Sequence, residues 1–273
     1  MRIPEINRDR NNKLKDITCF ALDMDGTVYL GEKWIEGALD FFQAVEEAGK
    51  QYVFLTNNSS KNAAAYVEKL DRMGLSVDSD RIVTSGQATI DYLKTNFPNK
   101  KVFLLGNELL QEEFAKEGIA LAQGEKDNPE VVVTAFDTSL TYAKMCRVCD
   151  LVREGLPYIT THPDYNCPTE TGFIPDSGAI HAFIHASAFR FPDHVIGKPS
   201  GDIMDYLARR AGVNKEQTAM VGDRLYTDVA AGVNNGYTGI LVLSGEAGME
   251  DVHASKIIPD LIFDSVKDMI PYL

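Results

Sequence analysis

The run from Ile17 to Leu22 is almost wholly apolar and stops at two carboxylates, in Phe20-Ala21-Leu22-Asp23-Met24-Asp25-Gly26-Thr27-Val28. Its length and its β-branched Ile17 and Thr18 read as a short buried strand. Side chains two residues apart leave a strand on the same side, so Asp23 and Asp25 can face one site. Gly26 permits a sharp turn that brings backbone amides close to a ligand. Two acids so close repel each other unless one is protonated or a cation sits nearby. Such a pair costs stability and is useful for chemistry.

The chain repeats this theme. A helical pattern over Gly37 to Gly49 precedes the strand Tyr52 to Leu55, which ends in Thr56-Asn57-Asn58-Ser59-Ser60. A helix to about Met73, a strand at Arg81 to Thr84 and a helix at Gln87 to Thr95 follow. Strands alternating with helices imply a parallel sheet covered on both faces. The pattern then restarts, with strands at Lys101–Gly106, Glu130–Ala135 and Pro157–Thr161 and helices at Glu108–Glu117, Leu140–Arg153 and Ala179–Phe189. A turn-rich loop, His162 to Ser177, holds Pro163, Pro168, Gly172 and Pro175. From Val195 the first style resumes, with a strand at Thr218–Asp223, a helix from Asp228 and two further strands. The expected organisation is an α/β chain whose core comes from both ends, 1–85 and 190–273, interrupted by an inserted α/β domain at 86–189.

Composition narrows the partners. With 273 residues and a formal net charge of −13, the chain is a poor match for nucleic acid. A small anionic substrate needs local cations to overcome that field. No run approaches the roughly 18–20 apolar residues of a spanning helix, so no membrane is expected. The first sixteen residues read as a polar, loosely held lead-in rather than an export signal. Cys19, Cys146, Cys149 and Cys167 offer no disulfide framework, which suits a reducing cytoplasm. Cys146 and Cys149 sit inside a helical pattern, as do His181 and His185, and packing accounts for both pairs better than redox or metal chemistry.

In a parallel sheet, ligands bind beyond the carboxyl ends of the strands. The unusual polar groups collect there: Asp23 and Asp25 after one strand, Thr56 and Asn57 after the next, Asp223 after a third, and Lys198 after the short apolar step Val195-Ile196. A carboxylate can attack phosphorus and split one hard displacement into two. Attack of an anion on an anion needs screening, and Asp23 with Asp223 offers oxygen ligands for Mg²⁺. Lys198 adds positive charge and Thr56 a hydrogen bond for phosphoryl oxygens. Asp25 can protonate the leaving alcohol and later take a proton from water.

Four segments together resemble the motifs of the haloacid dehalogenase superfamily of phosphohydrolases: Asp23-Met24-Asp25-Gly26-Thr27, Leu55-Thr56-Asn57-Asn58, Gly197-Lys198-Pro199, and Gly222-Asp223-Arg224-Leu225-Tyr226-Thr227-Asp228. Asp25 through Gly31, Thr56-Asn57-Asn58-Ser59 and Thr161-His162-Pro163-Asp164 are similar to its NagD-like and p-nitrophenyl phosphatase-like subgroup, which carries a large cap between the second and third motifs. The resemblance implies a Rossmann-like parallel-sheet core with an inserted α/β cap. It implies Asp23 as nucleophile and Asp25 as general acid/base. Phosphate would be held by Gly26, Thr56, Asn57 and Lys198. Mg²⁺ would be held by Asp23, the Asp25 carbonyl and Asp223, with Asp228 supporting. Phe136, His162, Asp164 and Tyr165 are cap candidates for reading the substrate, and His162 stands where the subgroup often has Asn. The expected activity is Mg²⁺-dependent hydrolysis of a small phosphorylated metabolite, such as a sugar phosphate or nucleotide, with p-nitrophenyl phosphate as an artificial substrate. Phosphoryl transfer to another hydroxyl and a non-catalytic phosphometabolite-binding regulator are the competing readings. A homodimer through the cap is left open by analogy.

Overall fold

A computed structural model describes residue 7 and residues 10–124, 127–169 and 171–273. In chain order its strands are β1 (Cys19–Leu22), β2 (Tyr29–Leu30), β3 (Lys33–Trp34), β4 (Gln51–Thr56), β5 (Ile82–Thr84), β6 (Val102–Leu105) and β7 (Val131–Thr134). Then come β8 (Tyr158–Thr160), β9 (Asn166–Thr169), β10 (Gly172–Pro175), β11 (His194–Val195), β12 (Thr218–Gly222), β13 (Thr238–Val242) and β14 (Leu261–Phe263). The chain divides into two compact units: Met1–Thr56, Val67–Val83 and Lys198–Leu273 form the first, and Asn57–Tyr66 with Thr84–Gly197 form the second.

The first unit carries a six-stranded sheet in the order β14-β13-β12-β1-β4-β5. β1 pairs in parallel with both β12 and β4, and all four of its residues are buried. An uninterrupted apolar run is what a parallel strand covered on both faces requires. The chain steps outward from β1 through β4 and β5 on one side, and from β12 through β13 and β14 on the other. The gap between β1 and β12 is therefore the topological switch point, where open α/β sheets bind ligands.

The helix Ala38–Glu47 covers the sheet with Ala38, Phe41, Phe42 and Val45, the i, i+3, i+4, i+7 stripe of an amphipathic helix. Phe41 packs edge-on against Phe20, and Phe42 stacks on Tyr52 at 4.8 Å between ring centres. Truncating either phenylalanine costs about 3–5 kcal/mol. The lead-in differs from the expectation of a loose segment. Arg10–Asp16 is helical, and Leu14 and Ile17 are buried in the core. One turn apart, these two apolar residues give the segment an anchored face; residues 1–6 and 8–9 of the lead-in lie outside the described residues.

The second unit has a four-stranded sheet, β11-β8-β7-β6, whose pairings are all parallel. Its helices start on side-chain caps: Thr84 accepts from Gln87 N, Asn107 from Leu110 N and Thr141 from Lys144 N. Val132, Val148, Cys149, Tyr158, Ile180 and Ile184 form its core. β11 was expected to belong with the core sheet; it pairs instead with β8. Residues 57–66 and 190–197 likewise fall in the second unit. The loop 162–177 contains the exposed antiparallel hairpin β9–β10. The helix expected from Asp228 begins earlier, as a single π turn over Leu225–Val229, a distortion found often at functional sites.

Candidate active site

β1 and β12 run level, with Leu22 opposite Val221 and the Asp23 N–H donating to the Val221 carbonyl at 2.9 Å. That register brings Asp23 and Asp223 to the switch point together. The π turn after β12 returns Asp228 to the same place, where its carboxylate accepts from Arg224 N at 3.1 Å. One carboxylate oxygen from each of Asp23, Asp223 and Asp228 lies within 4.8 Å of the others. Lys198 is almost wholly buried among them, with Nζ 2.6 Å from Asp23 Oδ1, 2.7 Å from Asp228 Oδ1 and 3.3 Å from the Leu55 carbonyl.

The charges perturb one another. Burial, then the negative charges of Asp23 and Asp228, push the Asp223 carboxyl up to about 7, against the pull of the Glu246 N–H. Burial pushes Asp228 up to about 6, and Lys198 holds it back. For Lys198, burial acts to strip the proton, but Asp228 and Asp23 outweigh it and its affinity rises. Asp223 Oδ1 is buried with no hydrogen-bond partner among the described residues, while Oδ2 accepts from Glu246 N at 2.7 Å. Three oxygen donors that converge, one of them buried and unsatisfied, fit a hard cation such as a divalent metal.

Asp25 is exposed, with its carboxylate outside that three-acid cluster. Gly26 makes the sharp turn: its N–H donates to the Tyr29 carbonyl at 2.8 Å and closes the turn that leads into β2. What glycine supplies is room: it sits at φ +91°, and a Cβ there would stand 2.8 Å from Asp223 Cγ. Thr56 ends β4, buried, in the first unit. Asn57 is the next residue but packs in the second unit, where Nδ2 donates to Asp164 Oδ2 at 3.1 Å. Lys198 does not follow a strand of the core sheet, as expected; it follows β11 of the second unit's sheet.

The cap candidates are dispersed by burial. Phe136 and His162 are buried, Asp164 is 12% exposed and Tyr165 is 59% exposed. His181 is buried and shares Nε2 with Thr160 Oγ1 at 2.6 Å and Ser177 Oγ at 3.0 Å, and His185 stacks on Phe191. Neither histidine belongs to a metal-ligand cluster among the described residues.

Sequence reasoning missed the loop after β13. Ser244 Oγ donates to the Gly26 carbonyl at 2.9 Å, Glu246 N holds Asp223, and Gly245 lies directly against the Asp223 side chain. Arg224, paired with Glu246 at 2.9 Å, is a second cation beside the acids. The signal was present: Leu243-Ser244-Gly245-Glu246 follows a strand end, as the other site segments do.

Two family models match the chain, one described as haloacid dehalogenase-like hydrolase over residues 20–120 and one as HAD-hydrolase-like over residues 195–269. The acid sugar phosphatase of Staphylococcus aureus is 33% identical over 260 residues, covering 95% of this chain and 99% of that one. The crystal structure of a 4-nitrophenylphosphatase from Thermotoga maritima superposes with a TM-score of 0.90 at 44% identity, over 95% of this chain and 98% of that one. NagD from Escherichia coli K-12 gives 0.85 at 30% identity, over 92% and 98%.

Proposed function

The chain belongs to the haloacid dehalogenase-like hydrolases, among their NagD-like and p-nitrophenyl phosphatase-like members, and is a phosphatase; from that premise we propose that it hydrolyses small phosphomonoesters with Mg²⁺ through an aspartyl-phosphate on Asp23. The observation that carries the proposal is the convergence of Asp23 with Asp223, Asp228 and Lys198 at the switch point.

Mg²⁺ would be held by Asp23, Asp223 and the Asp25 carbonyl, and would supply the positive charge that lets a carboxylate approach a phosphate. The chain's own residues account for the rest. Lys198 pairs with Asp23 and offers N–H donors to the phosphoryl oxygens, and Asp228 holds its ammonium in place. An Asp23 oxygen attacks phosphorus, and the bond from phosphorus to the leaving oxygen breaks. Asp25, on the exposed side, gives that oxygen its proton. A water then attacks the phosphorus of the acyl phosphate, Asp25 takes the water's proton, and phosphate departs from Asp23. Thr56 and Asn57 orient the phosphoryl group throughout.

Sugar phosphates are the proposed substrate class, since the curated relatives carry the name acid sugar phosphatase. Residence in a reducing cytoplasm belongs to the same proposal: none of the four cysteines is in a disulfide, and no helix of the described residues is long and apolar enough to cross a membrane.

The test is phosphate release from p-nitrophenyl phosphate and a panel of sugar phosphates, with Mg²⁺ or with chelator, by the parent and Asp23→Asn. Release without an acceptor alcohol, lost in the variant and in chelator, is expected. A chiral phosphate ester should be transferred with retention at phosphorus, the mark of two displacements; inversion would rule out the covalent step.

A further inference from the structure

A parallel sheet leaves its ligand-binding edge at the carboxyl ends of its strands. In the second unit that edge is covered by residues 57–60 of the chain itself. Asn107, after β6, donates Nδ2 to the Ser60 carbonyl at 2.8 Å. Phe136, after β7, donates its N–H to Ser59 Oγ at 3.0 Å. Thr161, after β8, donates Oγ1 to the same hydroxyl at 3.0 Å. Ser85 Oγ donates to the Asn57 carbonyl at 2.5 Å.

Asn57 is gripped by its side chain as well. A carboxylate accepts only, so the Asn57 amide must present its NH₂ end to Asp164 Oδ2, 3.1 Å away. Asp164 is fixed in turn. The His162 ring, wholly buried, lies between two carboxylates: Nδ1 is 3.6 Å from Asp164 Oδ2 and Nε2 is 3.4 Å from Asp176 Oδ1. Asp176 is itself tied down as the N-cap of the helix Ser177–Ala188, accepting from Ser177 N at 2.6 Å. The ring thus spans the gap between two carboxylates, Asp176 buried and Asp164 partly so.

We propose that Asp164, braced by His162 and Asp176, is a positioning residue for phosphate binding: it fixes Asn57 and with it the Thr56–Asn57 peptide, and it does not read the leaving group. The inference rests on the assignment of Asn57 to the phosphate under the proposed function. It turns two residues expected to recognise substrate into a support for the group that recognises phosphate.

Inorganic phosphate separates the roles, because it has no leaving group. The experiment measures the inhibition constant of inorganic phosphate, and kcat and KM for p-nitrophenyl phosphate and one sugar phosphate. It does so in the parent, Asp164→Ala, Asp164→Asn, Asn57→Ala and Asn57→Ala/Asp164→Ala, each checked for a native thermal transition. Asp164→Ala is expected to weaken phosphate about tenfold, the worth of one charge-assisted hydrogen bond. KM should rise by the same factor for both esters. Asp164→Asn keeps an acceptor for Asn57 and should recover most of that loss. In the Asn57→Ala background, Asp164→Ala should add nothing, the coupling expected of two residues acting as one unit. If Asp164→Ala fails to fold, His162→Asn is read in both backgrounds by the same criterion. Unchanged phosphate inhibition with KM altered for one ester only would overturn the inference, as would an equal loss in the Asn57→Ala background. If Asn57→Ala itself left phosphate binding intact, the assignment of Asn57 would fall, and the inference with it.

Discussion

Replacing Gly245 by alanine isolates the role of Asp223 without touching a charge. A Cβ at position 245 would stand 2.6 Å from Asp223 Cγ and 2.7 Å from Asp223 Cβ. Carbon atoms in contact sit about 3.5–4.0 Å apart, so relief needs a shift of about 1 Å. Neither side can yield freely. Asp223 Oδ2 is bonded to the N–H of Glu246, the very next residue, and the Asp223 carbonyl accepts from Ala247 N at 3.1 Å. The carboxylate must therefore move away from Asp23 and Asp228 or surrender its hydrogen bond. A displacement of about 1 Å costs on the order of 10² in rate, or about 2.7 kcal/mol of transition-state stabilisation. The assay is kcat/KM for p-nitrophenyl phosphate over a Mg²⁺ titration. Gly245→Ala should lose about a hundredfold and need more Mg²⁺ for half-maximal activity. Gly124→Ala is the control, since a Cβ there meets nothing within 4 Å. If Gly245→Ala keeps its thermal transition and stays within about threefold of the parent at every Mg²⁺ concentration, the claim that Asp223 is placed for metal and catalysis is refuted.

Two further outcomes follow from the same coordinates. Asp223 sits up at about 7 and Asp228 at about 6 in the metal-free fold, both above the carboxyl of an unfolded chain. Raised carboxyls contribute stability at low pH that is lost as pH climbs through 6 and 7, so the increase in melting temperature on adding Mg²⁺ should grow between about pH 5 and pH 8; a pH-independent increase would contradict the assignment. Leu14→Ala should lower the urea-derived unfolding free energy by about 2–5 kcal/mol, because Leu14 is fully buried; a change near zero would return the lead-in to the status of a loose tail.

What the sequence made legible was local. Asp23, Thr56 and Asp223 each follow an apolar run that is a strand on its own evidence, and the position beyond a strand's carboxyl end is a site by rule. Lys198 lies beside Asp23 and Asp228, but the step before it was attached to the wrong sheet. A two-residue strand such as β11 carries no mark of its partner, and its pairing with β8 is a long-range fact. Residues 57–66 went astray for the same reason: the partners of Asn57, Ser59 and Ser60 lie at Asp164, Phe136, Thr161 and Asn107. The hairpin β9–β10 carries Pro168 and Pro175, residues that argue against a strand anywhere but at an exposed edge, and an exposed edge is where it is found. The π turn that returns Asp228 has no sequence signature, whereas the acid itself was read from its motif.

The charge of the cluster bears on which cation it is built for. Three carboxylates, Asp23, Asp223 and Asp228, gather with one ammonium, Lys198, and all but the partly exposed Asp23 are buried. Fully ionised, the cluster carries two excess negative charges, which burial makes costly. The protein alone can relieve that only by taking up protons, and the raised Asp223 and Asp228 are where they go. A divalent cation would balance both charges at once, with no proton taken up. A monovalent ion would leave one charge to be met by a proton. The same balance explains why Lys198 is buried and bound to two acids. Displaced from Asp23 by an arriving phosphate, it still has Asp228 at 2.7 Å, so its charge can pass to the substrate without the ammonium having to move out of the cluster.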